Sequence, residues 1–205
     1  MRNLIKITRS YIAENTFLFW IFIFAILIRL LVFYITIKVY GSYEHFKLDG
    51  YFQITSNLFH HNIFSQVIDA SLPDSQRVPG IPYLMYPFLF FQNGMIIYTI
   101  LQIIIGSLIP ILAYTISILQ NIPKKWSNGI ALFLAFDPMC IGLSLKFLSE
   151  TFYTFLFLIA IIYFLVFIKN LQNAQLKTQT SFRYLIYSAL IIGLANLFRP
   201  QAVYL

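Results

Sequence analysis

Long apolar runs, each close to twenty residues, constrain how this chain can fold more than any other feature. The first covers residues 17–37, and about 20 apolar residues in a helix cross the ~30 Å hydrocarbon layer of a bilayer. Further runs cover 95–119, 129–145, 147–168 and 184–205. Backbone groups inside lipid must be hydrogen-bonded within the segment, so such runs fold as helices. The sequence therefore predicts an all-α integral membrane protein, built as a multi-span transmembrane helix bundle.

The composition excludes a soluble globular domain. Hydrophobic residues make up 60% of the chain and charged residues 10%, with a mean hydropathy of +0.78, whereas soluble domains carry about 25% charged residues. The net charge of +7 does not indicate nucleic-acid binding, because the Lys and Arg residues lie in short clusters beside the apolar runs. We expect no nucleic-acid partner. The single cysteine, Cys140, excludes an internal disulfide and a multi-cysteine metal site.

The loop charges predict an orientation in the plasma (inner) membrane. The N-terminal segment and the loops 120–127 and 169–183 hold Lys and Arg with almost no acids, so they are expected in the cytoplasm. The long polar loop 38–82 and the turn between the third and fourth runs hold most of the acids. These are therefore expected on the extracytoplasmic side.

Two segments depart from simple spans. Residues 83–91 are apolar but too short to cross, and Pro87 interrupts them, which predicts an interfacial or re-entrant helix. The chain also ends beside the fifth run at Leu205. We expect residues 1–205 to be the N-terminal part of one transmembrane domain, with a C-terminal part missing.

Five charged residues far apart in sequence are predicted to meet on one face of the membrane. Each falls at the extracytoplasmic end of an apolar run or in the first extracytoplasmic loop. They are Asp49, Arg77, Lys146, Glu150 and Arg199. Acids and bases collected at one rim of a helical bundle are typical of an active site.

Asp49 has two interpretations. The segment 51–64 has apolar residues at helix-like spacing, so Asp49 lies near the start of a predicted surface helix. It could cap that helix, since Asp is a favoured N-cap residue. Alternatively, it is a general base at the mouth of a membrane cavity.

The other candidates also have a structural and a functional interpretation. Arg77 opens the proline-fixed segment 77–82 and either grips a phosphate or is a loop cation near lipid headgroups. Ser149 is a candidate cap with Glu150 in the first helical turn, favoured by the helix dipole. An acid entering an apolar run also marks functional cavities. The pair Asp137-Pro138 is expected to be an architectural break in the third run.

Two arginines lie inside predicted spans. Arg199 precedes Pro200 within the 184–205 run and is expected to face the bundle or to extend towards the outer interface. Arg29 lies two-thirds of the way through the 17–37 run. We expect its side chain to extend to the same outer interface.

Four motifs resemble those of the GT-C superfamily of integral-membrane glycosyltransferases. The bacterial protein-mannosyltransferase-like and aminoarabinose-transferase-like enzymes belong to this superfamily. The motifs are DGYFQI at 49–54, RVPGIPYL at 77–84, LSETFYTF at 148–155 and GLANLFRP at 193–200. Their order, and their predicted position on one side of the membrane, carry the resemblance from the first run to the C-terminus.

The resemblance implies sugar transfer from a polyprenyl-phosphate donor to a lipid, glycan or protein acceptor at the extracytoplasmic face, in glycosylation of the cell envelope. Asp49 matches the family's first-loop acid and Glu150 the acid of its second outer loop, both as catalytic residues. Arg77 matches the residue that would hold the lipid phosphate, with Arg199, Lys146 and Tyr51 as further donor-binding residues. The family often has a second acid beside the first, where this chain has Gly50.

Other functions remain as alternatives at this point. One is a flippase or transporter of a lipid-linked sugar, which would need polar groups through the middle of the membrane and repeat symmetry. Another is a truncated, inactive membrane protein. No cofactor is expected, because the sequence does not support a divalent metal site, and membrane lipids are expected partners.

Overall fold

The computed structural model describes residues 2–41, 46–47, 50–68, 74, 77–172 and 178–199, with side chains from residue 16 onward except at 178–181. All regular secondary structure in these ranges is helical, which confirms the all-α prediction. In chain order the elements are α1 (Arg2–Tyr40), α2 (Tyr51–His61), α3 (Gly80–Met85), a 3-10 helix (Tyr86–Phe90), α4 (Gly94–Leu119), α5 (Lys124–Phe136), α6 (Pro138–Leu143), α7 (Glu150–Gln172) and α8 (Thr178–Asn196).

Three helices in the described part of the chain are long and apolar enough to cross a membrane. They are the Thr16–Tyr40 part of α1, α4, and α7. They match three of the predicted spans, and α4 agrees with the predicted 95–119 to within one residue. The chain is therefore a membrane protein by the length and composition of its helices.

The third predicted span, 129–145, is divided into two helices at the Asp137-Pro138 pair. The structure has α5, of 13 residues and about 20 Å, followed by the six-residue α6. Asp137 leaves the helical conformation between them, and its carboxylate accepts the Cys140 backbone N–H at 2.8 Å. Pro138, in the first turn of α6, has no N–H to continue the ladder of α5. The Asp-Pro pair is thus an architectural break, as expected.

The fifth predicted span, 184–205, also ends early. Helix α8 begins at Thr178 and ends at Asn196, so Arg199 lies after the helix and not within it. A tight turn follows the helix, in which the N–H of Phe198 donates to the carbonyl of Ala195 at 2.9 Å. Pro200 and the residues after it lie outside the described part of the chain.

Helix α4 occupies the centre of the bundle. It packs against α1, α5 and α7, and α7 packs in turn against α8. One apolar cluster joins α1, α4 and α5 through Ile21, Ala25 and Tyr114, among others. A larger cluster surrounds Tyr98 near the start of α4 and includes Phe147.

The two ends of the bundle are built differently. We call the end where α1 finishes and α4 and α7 begin the loop end. There α2, α3 and the 3-10 helix pack on one another, and the 3-10 helix packs on α4. We call the end where α4 and α7 finish and α5 and α8 begin the basic end. Its described cations are Lys124, Lys125, Lys169 and Arg183.

Candidate functional site

Four segments that are distant in sequence meet at the loop end. The backbone N–H of Phe147 donates to the carbonyl of Phe46 at 3.0 Å, and the N–H of Gly80 donates to the carbonyl of Leu197 at 2.8 Å. An ion pair adds a third connection, between α7 and the chain after α8. These contacts join 46–47 with 50–52, 77–85, 144–151 and 195–199 into what we call the four-segment junction. All four regions of the quoted motifs take part in it.

The ion pair of the junction joins Glu150 and Arg199. Glu150 Oε1 lies 3.2 Å from Arg199 Nη1, and the two side chains are 26% and 36% exposed. Glu150 occupies the first turn of α7, where the helix dipole favours a carboxylate. The hydroxyl of Ser149 donates to Glu150 Oε2 at 3.5 Å. The structure therefore places an acid and a base in contact, in a position that solvent still reaches.

Arg77 is held by an acid that the sequence analysis did not single out. Asp74 accepts the backbone N–H of Arg77 at 3.2 Å, and its carboxylate lies 3.4 Å from Arg77 Nη1. Gln66 Nε2 donates to the same carboxylate at 3.0 Å. The spacing of three residues between an acid and a base in one turn was the available signal. Asp74 fixes the guanidinium direction and offsets part of its charge.

Asp49 itself lies outside the described residues, but its neighbour Gly50 is described. Gly50 occupies the N-cap position of α2 with φ +72°, so the cap position considered for Asp49 belongs to Gly50. A Cβ atom at residue 50 would collide with the side chain of Gln66. Gly50 therefore lies against Gln66, which donates to the Asp74 carboxylate that also binds Arg77.

Tyr51 and Lys146, the two other predicted donor-binding residues, lie in different surroundings from each other. Tyr51 is buried in the larger apolar cluster, against the core and not in an open groove. Lys146 is partly exposed at the junction, and its carbonyl accepts Gln102 Nε2 at 2.9 Å. Gln102 comes from the middle of the bundle and holds the loop that carries Lys146 and Glu150.

An apolar groove of about 390 Å³ lies at the loop end, next along the chain to Arg199. It runs between α3 and the end of α8, and Arg199 directly follows one of its lining residues. The groove is lined by Pro79, Gly80, Tyr83, Leu84, Leu194, Leu197 and Phe198. Gly80 permits this close approach, since a Cβ there would lie 2.5 Å from the carbonyl oxygen of Leu197. The loop end thus combines an apolar groove with a neighbouring cation.

Arg29 does not extend to the outer interface, and that prediction is wrong. Its side chain is fully buried. Nε donates to Ser144 Oγ at 3.1 Å, and Nη1 donates to the carbonyls of Ala25 at 3.1 Å and Ala135 at 3.4 Å. The break after α5 leaves carbonyls without helical partners, and the guanidinium supplies a donor for one of them. Arg29 is therefore held inside the bundle by groups from three parts of the chain.

Metal ligands are not grouped in the described residues. Among them, no set of three or more His, Cys, Asp or Glu side chains is placed to hold a metal ion.

Comparison with known proteins gives no relative from which to transfer a function. No family model, no curated protein and no solved structure matches this chain. The functional conclusion therefore depends on the chemistry of the four-segment junction.

Proposed function

We propose that this membrane protein is a glycosyltransferase, which transfers a sugar from a polyprenyl-phosphate donor to an acceptor at the extracytoplasmic face. The observation that carries the proposal is the Glu150–Arg199 pair at the loop end, with an apolar groove next along the chain to Arg199. A polyprenyl phosphate keeps its tail in the bilayer and its phosphate at the interface. A site for it needs an apolar groove, a cation at the groove's edge and a carboxylate nearby.

The ion pair offers a way to couple donor binding to catalysis. A donor phosphate that reaches Arg199 competes with Glu150 for the guanidinium, which binds phosphate and carboxylate with the same fork of donors. The released carboxylate can then hydrogen-bond and orient the attacking acceptor hydroxyl, whose proton passes to Asp49 as the base. The acceptor oxygen forms a bond to the sugar while the bond from the sugar to the phosphate oxygen breaks. Arg199 stabilises the negative charge left on the phosphate.

The remaining candidates have supporting roles in this proposal. Asp49 is proposed as the base that positions or deprotonates the acceptor, from its motif at 49–54. Arg77, oriented by Asp74, is a second cation for the donor phosphate. Lys146 adds charge at the same end, and Tyr51 is proposed to contact the donor sugar, which requires its ring to leave the larger apolar cluster.

The donor site can be tested with farnesyl phosphate and farnesol as probes, which differ only in the phosphate. The purified chain should bind farnesyl phosphate more tightly, and Arg199→Gln should weaken that binding by about tenfold to a hundredfold, the worth of one charged hydrogen bond. Arg183→Gln, an exposed arginine of α8 at the basic end, is the matched control and should bind like the unchanged protein. Equal affinities for the two probes, or an unaltered Arg199→Gln variant, would refute the donor site.

The reaction itself can be tested with a panel of polyprenyl-phosphate sugars in membrane vesicles. We expect transfer from at least one donor, and a fall in rate of about 10²-fold in Glu150→Gln, the cost of a misplaced acceptor hydroxyl. Transfer that persists at the original rate in Glu150→Gln would remove Glu150 from the mechanism.

The side of the membrane can be tested by thiol labelling of intact cells in a Cys140→Ser background. Single cysteines replace Asn93, exposed at the loop end, or Asn121, exposed at the basic end. An impermeant maleimide should label position 93 from outside and position 121 only after permeabilisation. The reverse pattern would place the junction in the cytoplasm and refute an extracytoplasmic reaction.

A lipid-linked sugar flippase is the second candidate, because the structure has polar groups within the bundle. Arg29 is buried near the middle of the Thr16–Tyr40 span, beside a helix broken at Asp137. Intramembrane charges and discontinuous helices occur along transport pathways. Movement of a fluorescent lipid-linked sugar across sealed vesicles without sugar transfer, lost in Arg29→Lys, would favour the flippase.

A further inference from the structure

Helix α5 has an apolar groove on a face that no other described helix covers. The helix packs against α1, α4 and α6, while Trp126 and Phe133 are 67% and 69% exposed. The groove measures about 420 Å³ and is lined by Trp126, Gly129, Ile130, Phe133 and Leu134. Gly129 forms a notch in it, since a Cβ there would meet no atom within 4 Å.

Positive charge lies at one end of this groove. Lys124 and Lys125 are exposed in the first turn of α5, next to Trp126. Lys125 precedes Gly129 by four residues and therefore shares its side of the helix. Side chains on a helix lean towards its N-terminus, so Lys125 extends away from the groove, in the direction of the basic end.

The acids whose side chains are described lie elsewhere. Asp74 and Glu150 belong to the loop end, and Asp137 follows the last residue of α5, at the opposite end of the groove. Among the residues with described side chains, the basic end therefore has cations and no acid. The ligand that fits this surface has an anionic head at the lysines and an apolar chain along the groove.

We propose that α5 binds an anionic phospholipid, with its phosphate at Lys124 and Lys125 and an acyl chain in the groove of Trp126 and Phe133. Tryptophan favours the depth at which headgroups meet chains, which is where such a lipid would pass it. Lysines at the membrane surface attract anionic headgroups. A choline headgroup carries its own positive charge beside the phosphate and gains less from the same lysines. The proposal is independent of the glycosyltransferase reaction.

The two tryptophans of the chain, Trp20 and Trp126, allow a direct measurement. The variant Trp20→Phe leaves Trp126 as the only tryptophan. It would be reconstituted into dioleoyl-phosphatidylcholine vesicles that contain either phosphatidylglycerol or phosphatidylcholine with brominated chains. Bromine quenches indole fluorescence on contact, so the quenching curves give the relative affinity of each lipid for the site. We expect a preference for phosphatidylglycerol of about threefold to tenfold.

Variants separate the lysines and the groove from general membrane charge. Changing both Lys124→Gln and Lys125→Gln should remove the preference. The single change Lys125→Gln should lower the preference, and its matched control Arg183→Gln, which removes the same charge from α8 at the same end, should keep it. Gly129→Leu fills the notch and should lower the maximum quenching by both lipids.

A second control uses Trp126→Phe, which leaves Trp20, 52% exposed on α1. Trp20 should show no preference between the two lipids. Equal quenching of Trp126 by both lipids, the same preference at Trp20, or loss of preference in the Arg183→Gln control would each overturn the proposal. Absence of quenching by either lipid would also overturn it, since a second copy or another protein would then cover the groove.

Discussion

The loop end and the basic end of this bundle differ in whether a non-helical connection is buried or exposed. At the loop end, the segment 144–149 is not helical, yet Ser144 and Phe147 have no exposed surface. At the basic end, the connection from α4 to α5 is short and its residues Asn121 and Pro123 are exposed. Both connections join apolar helices, but of the two only 144–149 is drawn into the protein.

The two connections also differ in how their backbone polar groups are hydrogen-bonded. Buried non-helical backbone must have its hydrogen bonds satisfied by protein. At the loop end Gln102 Nε2 donates to the carbonyl of Lys146, and the N–H of Phe147 donates to the carbonyl of Phe46. The exposed connection 120–123 leaves its backbone accessible to solvent.

The largest expected effect is on activity, from Asp49→Asn at the loop end. Loss of a general base costs about 10²–10⁴-fold in rate, and the change keeps the size of the side chain. Sugar transfer should fall by that factor while expression and farnesyl phosphate binding stay close to normal. Lys169→Gln at the basic end is the control and should retain full activity. An Asp49→Asn variant with most of its activity would show that Asp49 is not the base.

A pair of phenylalanines tests the same comparison through stability. Phe147 has no exposed surface and packs on Tyr98 and Phe52, whereas Phe133 is 69% exposed on α5. Phe147→Ala should lower the free energy of unfolding by about 3–5 kcal/mol, the cost of a cavity in a core. Phe133→Ala should change it by less than about 0.5 kcal/mol. Unfolding by SDS titration in mixed micelles measures both, and similar losses would erase the distinction between the two ends.

The parts of this fold that follow from local pattern could be predicted, and those that depend on distant partners could not. Helix α4 was predicted to within one residue because its apolar run ends at the 120–127 loop. The burial of Arg29 depends on Ser144 and Ala135, which are more than one hundred residues away. The early end of α8 before Arg199 likewise accompanies a contact with Gly80. The sequence alone does not show which distant residues make these contacts.

The candidate site shows the same limit. The loop charges and the alternation of spans predicted that the segments carrying Arg77, Lys146, Glu150 and Arg199 meet at one end of the bundle. In the structure these segments lie together at the loop end. The pairing of Glu150 with Arg199, and of Arg77 with Asp74, was not predicted. Among several acids and bases at one interface, composition does not choose partners, since the choice depends on distances of a few ångströms.

Two glycine substitutions test the packing at the groove, with an expected effect on stability smaller than that of Phe147→Ala. A Cβ at Gly80 would lie 2.5 Å from the carbonyl oxygen of Leu197, while a Cβ at Gly193 in α8 would meet nothing within 4 Å. Gly80→Ala must push α3 away from the chain after α8, at a cost of about 1–3 kcal/mol. Gly193→Ala should be neutral or stabilise by up to about 1 kcal/mol through helix propensity. Thermal unfolding in detergent compares the two, and a Gly80→Ala variant as stable as Gly193→Ala would contradict the close packing at the groove.

The smallest expected effect concerns the polar pairs at the two ends. Glu150 and Arg199 form a partly exposed ion pair, and Lys169 Nζ donates to Asn121 Oδ1 at 3.3 Å in an exposed position. Exposed ion pairs are worth about 0.2–1 kcal/mol. A double-mutant cycle with Glu150→Gln and Arg199→Gln should give a coupling energy in that range, and one with Lys169→Ala and Asn121→Ala a value close to zero.

The size of the Glu150–Arg199 coupling bears on the mechanism as well as on stability. A pair worth less than about 1 kcal/mol opens at little cost when a phosphate binds Arg199, because the charged hydrogen bond to phosphate is worth about 1.5–3 kcal/mol. Farnesyl phosphate should therefore remove the coupling measured in the same cycle. A coupling above about 2 kcal/mol that persists with the probe bound would mean that the pair fastens α7 to the chain after α8. Arg199 would then be a structural residue, and Arg77 would have to bind the donor phosphate.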